Sequence, residues 1–224
     1  VCATATIEAG ATGEGLIIDA VDLGERVSPA CHGHPLAEIA RLGLAELGLD
    51  EPDWRVSIRS TIPIASGLGS GAAAAAALAR ALSAAAGQPF AADKVSAIVY
   101  EVERLHHGTP SGIDNTVIAY GQPVYFKRGD PPQPFAIGAA FMLVIGDTGI
   151  ASPTKVAVGD VRSAWQREAA RYEALFDAVA EVVEAAKGAI AAGQVNALGP
   201  LIDENQRLLR EIGVSSPELE RLIE

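Results

Sequence analysis

The chain has 224 residues, 49% of them hydrophobic, which is enough for one large domain or two ordinary ones and excludes a disordered or collagen-like polymer. Its formal net charge of −11 argues against nucleic acid or an anionic membrane as the main partner. It does not exclude a small anion held by backbone N–H groups and a metal ion.

The elements follow in chain order. VCATATIEAG alternates as a strand does, and GLIIDAVDLG predicts a second strand after the Gly-rich turn at 10–15. Cys2 and Cys31 lack metal-ligand spacing and read as buried or incidental thiols rather than a disulfide. HPLAEIARLGLAELGLD predicts an amphipathic helix ending near Gly48, and RVSIRSTIP a strand stopped by Pro63. A glycine loop and an alanine helix follow, to about Ala86. AADKVSAIVYEVERLHHG predicts a helix with Val95, Ile98, Val99, Val102 and Leu105 at helical spacing, ended by Gly108. TPSGIDN reads as a loop leading to a strand around PVYFKR. Proline-rich GDPPQPF marks the expected boundary between a first domain, 1–135, and a second, 136–224. FMLVIGD reads as a buried strand, and 153–190, 194–212 and 216–224 as helices broken at Gly193 and Gly213. No internal repeat is found, and the fold class is α+β. No uncharged apolar run is long enough to span a bilayer, and no signal peptide is evident, so the expected compartment is the cytoplasm.

The first stretch with chemical content is IPIASGLGSGAAAAAALARAL, residues 62–82. Glycine permits positive φ and lets a ligand approach the backbone. A helix starting directly after such a loop aims unpaired N–H groups and its positive dipole end at that ligand, which makes an anion site. The plain alternative is a tight strand-to-helix turn. The loop is not a Walker A sequence, because no Gly-Lys-Ser/Thr follows. Gly67, Gly69 and Ala72 fit G-x-G-x-x-G/A, which allows a dinucleotide fold and a nicotinamide-dependent oxidoreductase. That fingerprint wants an acid at the end of a second strand, whereas Asp93 opens a helix.

The second stretch is EVERLHHGTPSGIDN, residues 101–115. Asp114 follows Ser111 and Gly112, where an aspartate can accept a hydroxyl proton or cap the turn. Glu103 flanks the apolar stripe of its helix, about 40° beyond Val99. It either reaches a Mg²⁺ bound to phosphates or is a solvated helix carboxylate. His106 and His107 point about 100° apart and make a poor metal pair; they read as cations at a helix C-terminus or neighbours of the loop. Asp147, Thr148 and Thr154 form a third polar group, in which Thr154 contacts a phosphate or substrate, or caps the following helix.

Taken together these segments resemble the GHMP kinases. IPIASGLGSGAA resembles the family's second signature, HGTPSGIDN the substrate loop of its mevalonate kinase members, and GDTGIASPT and NQRLLREIGVSSPELERLIE their C-terminal half. The resemblance spans essentially the whole chain. It implies a ribosomal protein S5-like N-terminal domain and a ferredoxin-like C-terminal domain with the active site between them. It implies ATP-dependent, Mg²⁺-dependent phosphorylation of the 5-hydroxyl of (R)-mevalonate, with a homodimer left open. It assigns Asp114 as catalytic base, and Glu103 and Ser70 as metal ligands. Ala65, Ser66, Gly67, Leu68, Gly69, Ser70 and Gly71 match the ATP-phosphate loop, with Ser60 a nucleotide contact on the incoming strand. Ser111, Gly112 and Thr154 match positions at the substrate and the transferred phosphate.

Two departures qualify this expectation. Gly71 stands where the family usually has a second, metal-ligating serine. The family's N-terminal Pro-Gly-Lys stretch and its third, Gly-rich signature are not within these residues, and the chain opens at Val1 without Met. The expectation is therefore a mevalonate kinase trimmed at both ends. The alternatives are another small-molecule kinase of the family or a nucleotide-binding homologue without activity.

Overall fold

The computed structural model describes residues 2–63, 67–107, 110–150 and 154–223. The chain divides into two compact units, Val1–Pro134 and Phe135–Glu224.

The first unit is built on a four-stranded sheet in the order β1-β4-β2-β3, formed by β1 (Ala3–Ala9), β2 (Ile17–Ala20), β3 (Glu25–Val27) and β4 (Trp54–Ser60). β1 runs antiparallel to β4, from Ala3 opposite Ser60 to Ala9 opposite Trp54. β2 lies parallel to β4 and antiparallel to β3. Strand alternation sends Ile18, Val56 and Ile58 into the core and leaves Thr4, Thr6 and Arg59 exposed. A 3₁₀ turn, Val21–Leu23, follows β2 directly.

Three long helices complete this core: α1 (Pro35–Leu47), α2 (Ser70–Ala85) and α3 (Ala92–His107). The alanines of α2 have a packing purpose. Ala72, Ala75, Ala76 and Ala79 are buried together with Leu78 and Leu82, so α2 contacts β1 and β4 as well as α1 and α3. A helix buried on several sides needs small side chains on most of its surface to let neighbours approach. Gly43 of α1 belongs to the same close contact, since a Cβ there would lie 3.3 Å from Leu82 Cδ1. Fully burying Leu78 and Leu82 contributes about 1.5–3 kcal/mol each. The Val95, Ile98, Val99 and Val102 stripe of α3 closes the layer.

TPSGIDN is not all loop. Its last three residues open α4 (Ile113–Tyr120), with Gly112 as N-cap at φ 89°. The glycine that reads as a loop residue is the left-handed residue from which the helix starts. A short β5 (Val124–Tyr125) pairs with β6 (Gln133–Pro134) and ends the first unit.

The second unit holds α5 (Thr154–Arg167), α6 (Ala169–Ala191), α7 (Leu198–Ile212) and α8 (Pro217–Ile223). Tyr172, Leu175, Leu208 and Ile212 form its small core, and the Tyr172 hydroxyl donates to the Ile212 carbonyl at 3.3 Å. The single helix expected over 153–190 is broken at Glu168. FMLVIGD is neither strand nor buried: Met142 is 88% exposed and Val144 91%. A strand exists only where its N–H and C=O groups find a partner strand, and the described residues of the second unit contain none. Cys2 and Cys31 are free, as expected, but exposed rather than buried. Among the described residues no helix is long and apolar enough to cross a membrane.

Candidate active site

β4 delivers the glycine loop to the N-terminus of α2. Ser60, the last residue of β4, donates its N–H to the Asp22 carboxylate at 2.5 Å, and its hydroxyl accepts the Ile62 N–H at 3.2 Å. Ala65 and Ser66 lie outside the described residues. Gly67 and Gly69 both have positive φ, 75° and 70°. Leu68 between them is 41% exposed. Gly69 is the N-cap of α2, and as a glycine it brings no side chain to cap the first turn. The helix thus begins at Ser70, and its positive dipole end and first N–H groups lie at the end of the glycine loop.

A cavity of about 540 Å³ opens beside this turn. Ser70, Gly71, Ala74 and Ala75 of α2 line one side, Ser60 to Pro63 another, and Val99, Val102 and Glu103 of α3 a third. Leu23, Leu36 and Ile58 add apolar wall, while Asp22 and His34 add polar groups. Glu103 therefore stands with Val99 and Val102 at the cavity rather than on an unrelated face. The space is large enough for a nucleoside, with apolar walls for a ring and few polar groups to orient it.

Asp114 adjoins the same helix mouth. It sits in the first turn of α4, and its Cβ lies 4.0 Å from the position a Cβ on Gly69 would occupy. Ile118 Cδ1 is nearer still to that position, at 3.1 Å. Several contacts hold α4 there. Gly112 packs so closely that a Cβ would meet Phe126 Cζ at 3.1 Å. The Thr116 hydroxyl donates to the Gly112 carbonyl at 2.6 Å. Arg80 of α2 donates to the carbonyls of Ile118 and Ala119, at 3.3 and 2.5 Å, which satisfies the far end of α4. The Ser111 hydroxyl accepts the Ile113 N–H at 3.2 Å.

Of the residues singled out from sequence, Ser60, Ser70, Gly71 and Glu103 share one cavity, and Gly69 and Asp114 adjoin each other. Thr154 is the first residue of α5 in the second unit, and its side chain lies outside the described residues, as do those of His106 and His107. Asp147 and Thr148 bond within their own turn, accepting the N–H groups of Gly149 and Ile150 at 2.9 and 3.2 Å.

Sequence reasoning missed His34 and Asp22. His34 caps α1, its Nδ1 accepting the Leu36 N–H at 3.2 Å, while Nε2 lies 3.3 Å from Glu25. The signal was present, since a capping residue directly before Pro35 marks a helix start. Asp22 had no local signal.

Among the described residues, no three His, Cys, Asp or Glu side chains cluster to hold a metal ion by themselves. Glu103 and the Ser70 hydroxyl on one cavity suit a metal that takes its remaining ligands from phosphate and water, as Mg²⁺ usually does. The dinucleotide reading is overturned. The sheet is mostly antiparallel, and α2 leads into α3 instead of a second strand.

Comparison with known proteins adds the following. Residues 35–122 match the family model described as GHMP kinases N terminal domain. The chain is 36% identical over 188 residues to a mevalonate kinase of Pyrococcus horikoshii, covering 80% of this chain and 55% of that one. It is 32% identical over 230 residues to a mevalonate kinase of Aeropyrum pernix, covering 97% of this chain and 70% of that one. The chain thus spans between about half and 70% of the length of these relatives. Among solved structures it resembles L. major mevalonate kinase in complex with R-mevalonate, with a TM-score of 0.79, 26% identity, and 99% and 69% of the two chains covered.

Proposed function

The chain belongs to the mevalonate kinase family and has the GHMP kinase fold, and on that premise we propose that it takes part in ATP-dependent phosphorylation of the 5-hydroxyl of (R)-mevalonate. The observation that carries this reading is the meeting of Asp114 with Gly69 at the start of α2, where the next residue, Ser70, lines a cavity together with Glu103.

Phosphoryl transfer asks a protein mainly to position groups and to balance charge. The α2 N-terminus and residues 65–71 hold the terminal phosphates of ATP through backbone N–H groups. Ser60 and the apolar cavity hold the nucleoside. Asp114 accepts the proton of the substrate hydroxyl as its oxygen bonds to the γ-phosphorus and the bond to the β-phosphate oxygen breaks. Ser111 and Gly112 contact the substrate side, and for Thr154 of the second unit a role at the transferred phosphate is what the family resemblance implies. Glu103 and the Ser70 hydroxyl would hold a Mg²⁺ ion, which when bound would offset the phosphate charge. The first unit corresponds to a ribosomal protein S5-like domain and the second to part of a ferredoxin-like domain. The setting is cytoplasmic, with no nucleic acid or membrane as partner, and a homodimer is the assembly to test.

The test is ADP release measured with mevalonate, phosphomevalonate, homoserine and galactose as acceptors. Turnover with mevalonate above the other three is expected. A preference for another acceptor refutes the substrate, and ATP binding without any turnover favours a non-catalytic homologue. Asp114→Asn is expected to lower kcat by at least about 10²-fold with ATP affinity kept. Near-normal turnover refutes the base assignment.

A further inference from the structure

Next to exposed Asp114 stands a residue turned into the core. Asn115 is 5% exposed. Its side-chain amide donates to the Ser96 carbonyl at 3.2 Å and to the Ser96 hydroxyl at 2.9 Å. Thr116, 4% exposed, has its hydroxyl 3.5 Å from that of Ser96, which is itself 9% exposed. Together with Ser83, which bonds elsewhere, these are the buried polar side chains among the described residues.

Such a cluster gives little net stability. A buried hydrogen-bonded pair can often be replaced by apolar groups of the same shape at almost no cost. What it supplies is a unique geometry, because any other alignment leaves a buried polar group unpaired. Successive helical residues point about 100° apart. Holding Asn115 in the core therefore turns Asp114 away from it, toward Gly69. Ser96 lies two turns before Glu103 on α3, so both project from nearly the same side of that helix. The cluster links the α3 face that carries Glu103 to the α4 turn that carries Asp114.

We propose that Asn115, held by Ser96, is a positioning residue that fixes the rotation of α4 and thereby aims the Asp114 carboxylate across the mouth of α2. The proposal rests on the reading of Asp114 as the base. Asn115→Ala leaves α2 and its glycine loop in place. The kcat for mevalonate falls about tenfold to a hundredfold, while KM for ATP changes by less than about twofold. Ser96→Ala keeps the bond from Asn115 to the Ser96 carbonyl and loses a smaller factor; it also serves if Asn115→Ala does not fold. The deciding comparison is Asp114→Asn with and without Asn115→Ala, in single-turnover assays on the full chain. If Asn115 acts through Asp114, the second substitution adds no further loss. An equal loss in both backgrounds, a parallel loss of ATP affinity, or unchanged kcat in Asn115→Ala overturns the positioning role alone. Near-normal turnover of Asp114→Asn overturns the base assignment, and this inference with it.

Discussion

Asp114 and Gly69, 45 residues apart in the chain, meet at the start of α2, where the Asp114 Cβ lies 4.0 Å from the place a side chain on Gly69 would begin. Gly69 is doubly constrained, by its own left-handed backbone and by Ile118 Cδ1, 3.1 Å from where its side chain would begin.

Gly69→Ala tests both. The left-handed backbone at φ 70° costs a non-glycine residue about 1–2 kcal/mol. The new methyl also meets Ile118 Cδ1 at 3.1 Å, tight enough to push that side chain, and touches the Asp114 Cβ at an ordinary 4.0 Å. A lower unfolding temperature is expected, with a raised KM for ATP and a reduced kcat. Wild-type values of both constants would detach the loop from the site.

Gly71→Ser has the opposite sign. Gly71 is helical, and among the described residues nothing lies within 4 Å of a Cβ there. Glycine inside a helix is less favourable than serine by a few tenths of a kcal/mol. A small gain in thermal stability is expected, together with tighter Mg²⁺ dependence, because the new hydroxyl stands on the wall shared with Ser70 and Glu103. A Mg²⁺ titration of ADP release reads the second effect.

Glu103→Gln keeps the shape and removes the charge. Glu103 is half-buried at the cavity, so stability should change by less than about 1 kcal/mol. The Mg²⁺ concentration for half-maximal rate should rise at least about tenfold. An unchanged Mg²⁺ dependence would remove Glu103 from the metal site.

Asp53 supplies a pH prediction away from the site. Its carboxylate accepts the N–H groups of Gly13 and Gly15, each at 2.8 Å, which holds its pKa below the ordinary 3.8. A carboxyl with a depressed folded-state pKa stabilises the fold above its unfolded value and loses that contribution as pH falls through the folded one. The turn between β1 and β2 should therefore hold at neutral pH and loosen below about pH 4. In Asp53→Asn this acid-dependent step should disappear from an amide-exchange profile of residues 10–15, which would already exchange faster at neutral pH.

The helices were legible because their signals are local. Apolar spacing marked α1 and α3, Gly48 and Gly213 marked helix ends, and the glycines before the alanine run marked the start of α2. That residues 141–147 form no strand was not legible, since composition measures only the wish for a partner. The loop over 109–115 misled because a glycine that ends one element and a glycine that caps the next look alike in sequence.

The sequence alone determined that a glycine loop would lead directly into the alanine helix, because torsional freedom and helix propensity belong to neighbouring residues. Only the tertiary structure decided that Asp114 stands at that helix mouth and that Glu103 faces the cavity beside it. Those placements depend on how α3 and α4 pack onto α2, through Gly112 against Phe126, Asn115 on Ser96 and Arg80 on the end of α4. Contacts between residues so far apart in the chain are set by the shape and hydrogen-bonding of the packed core.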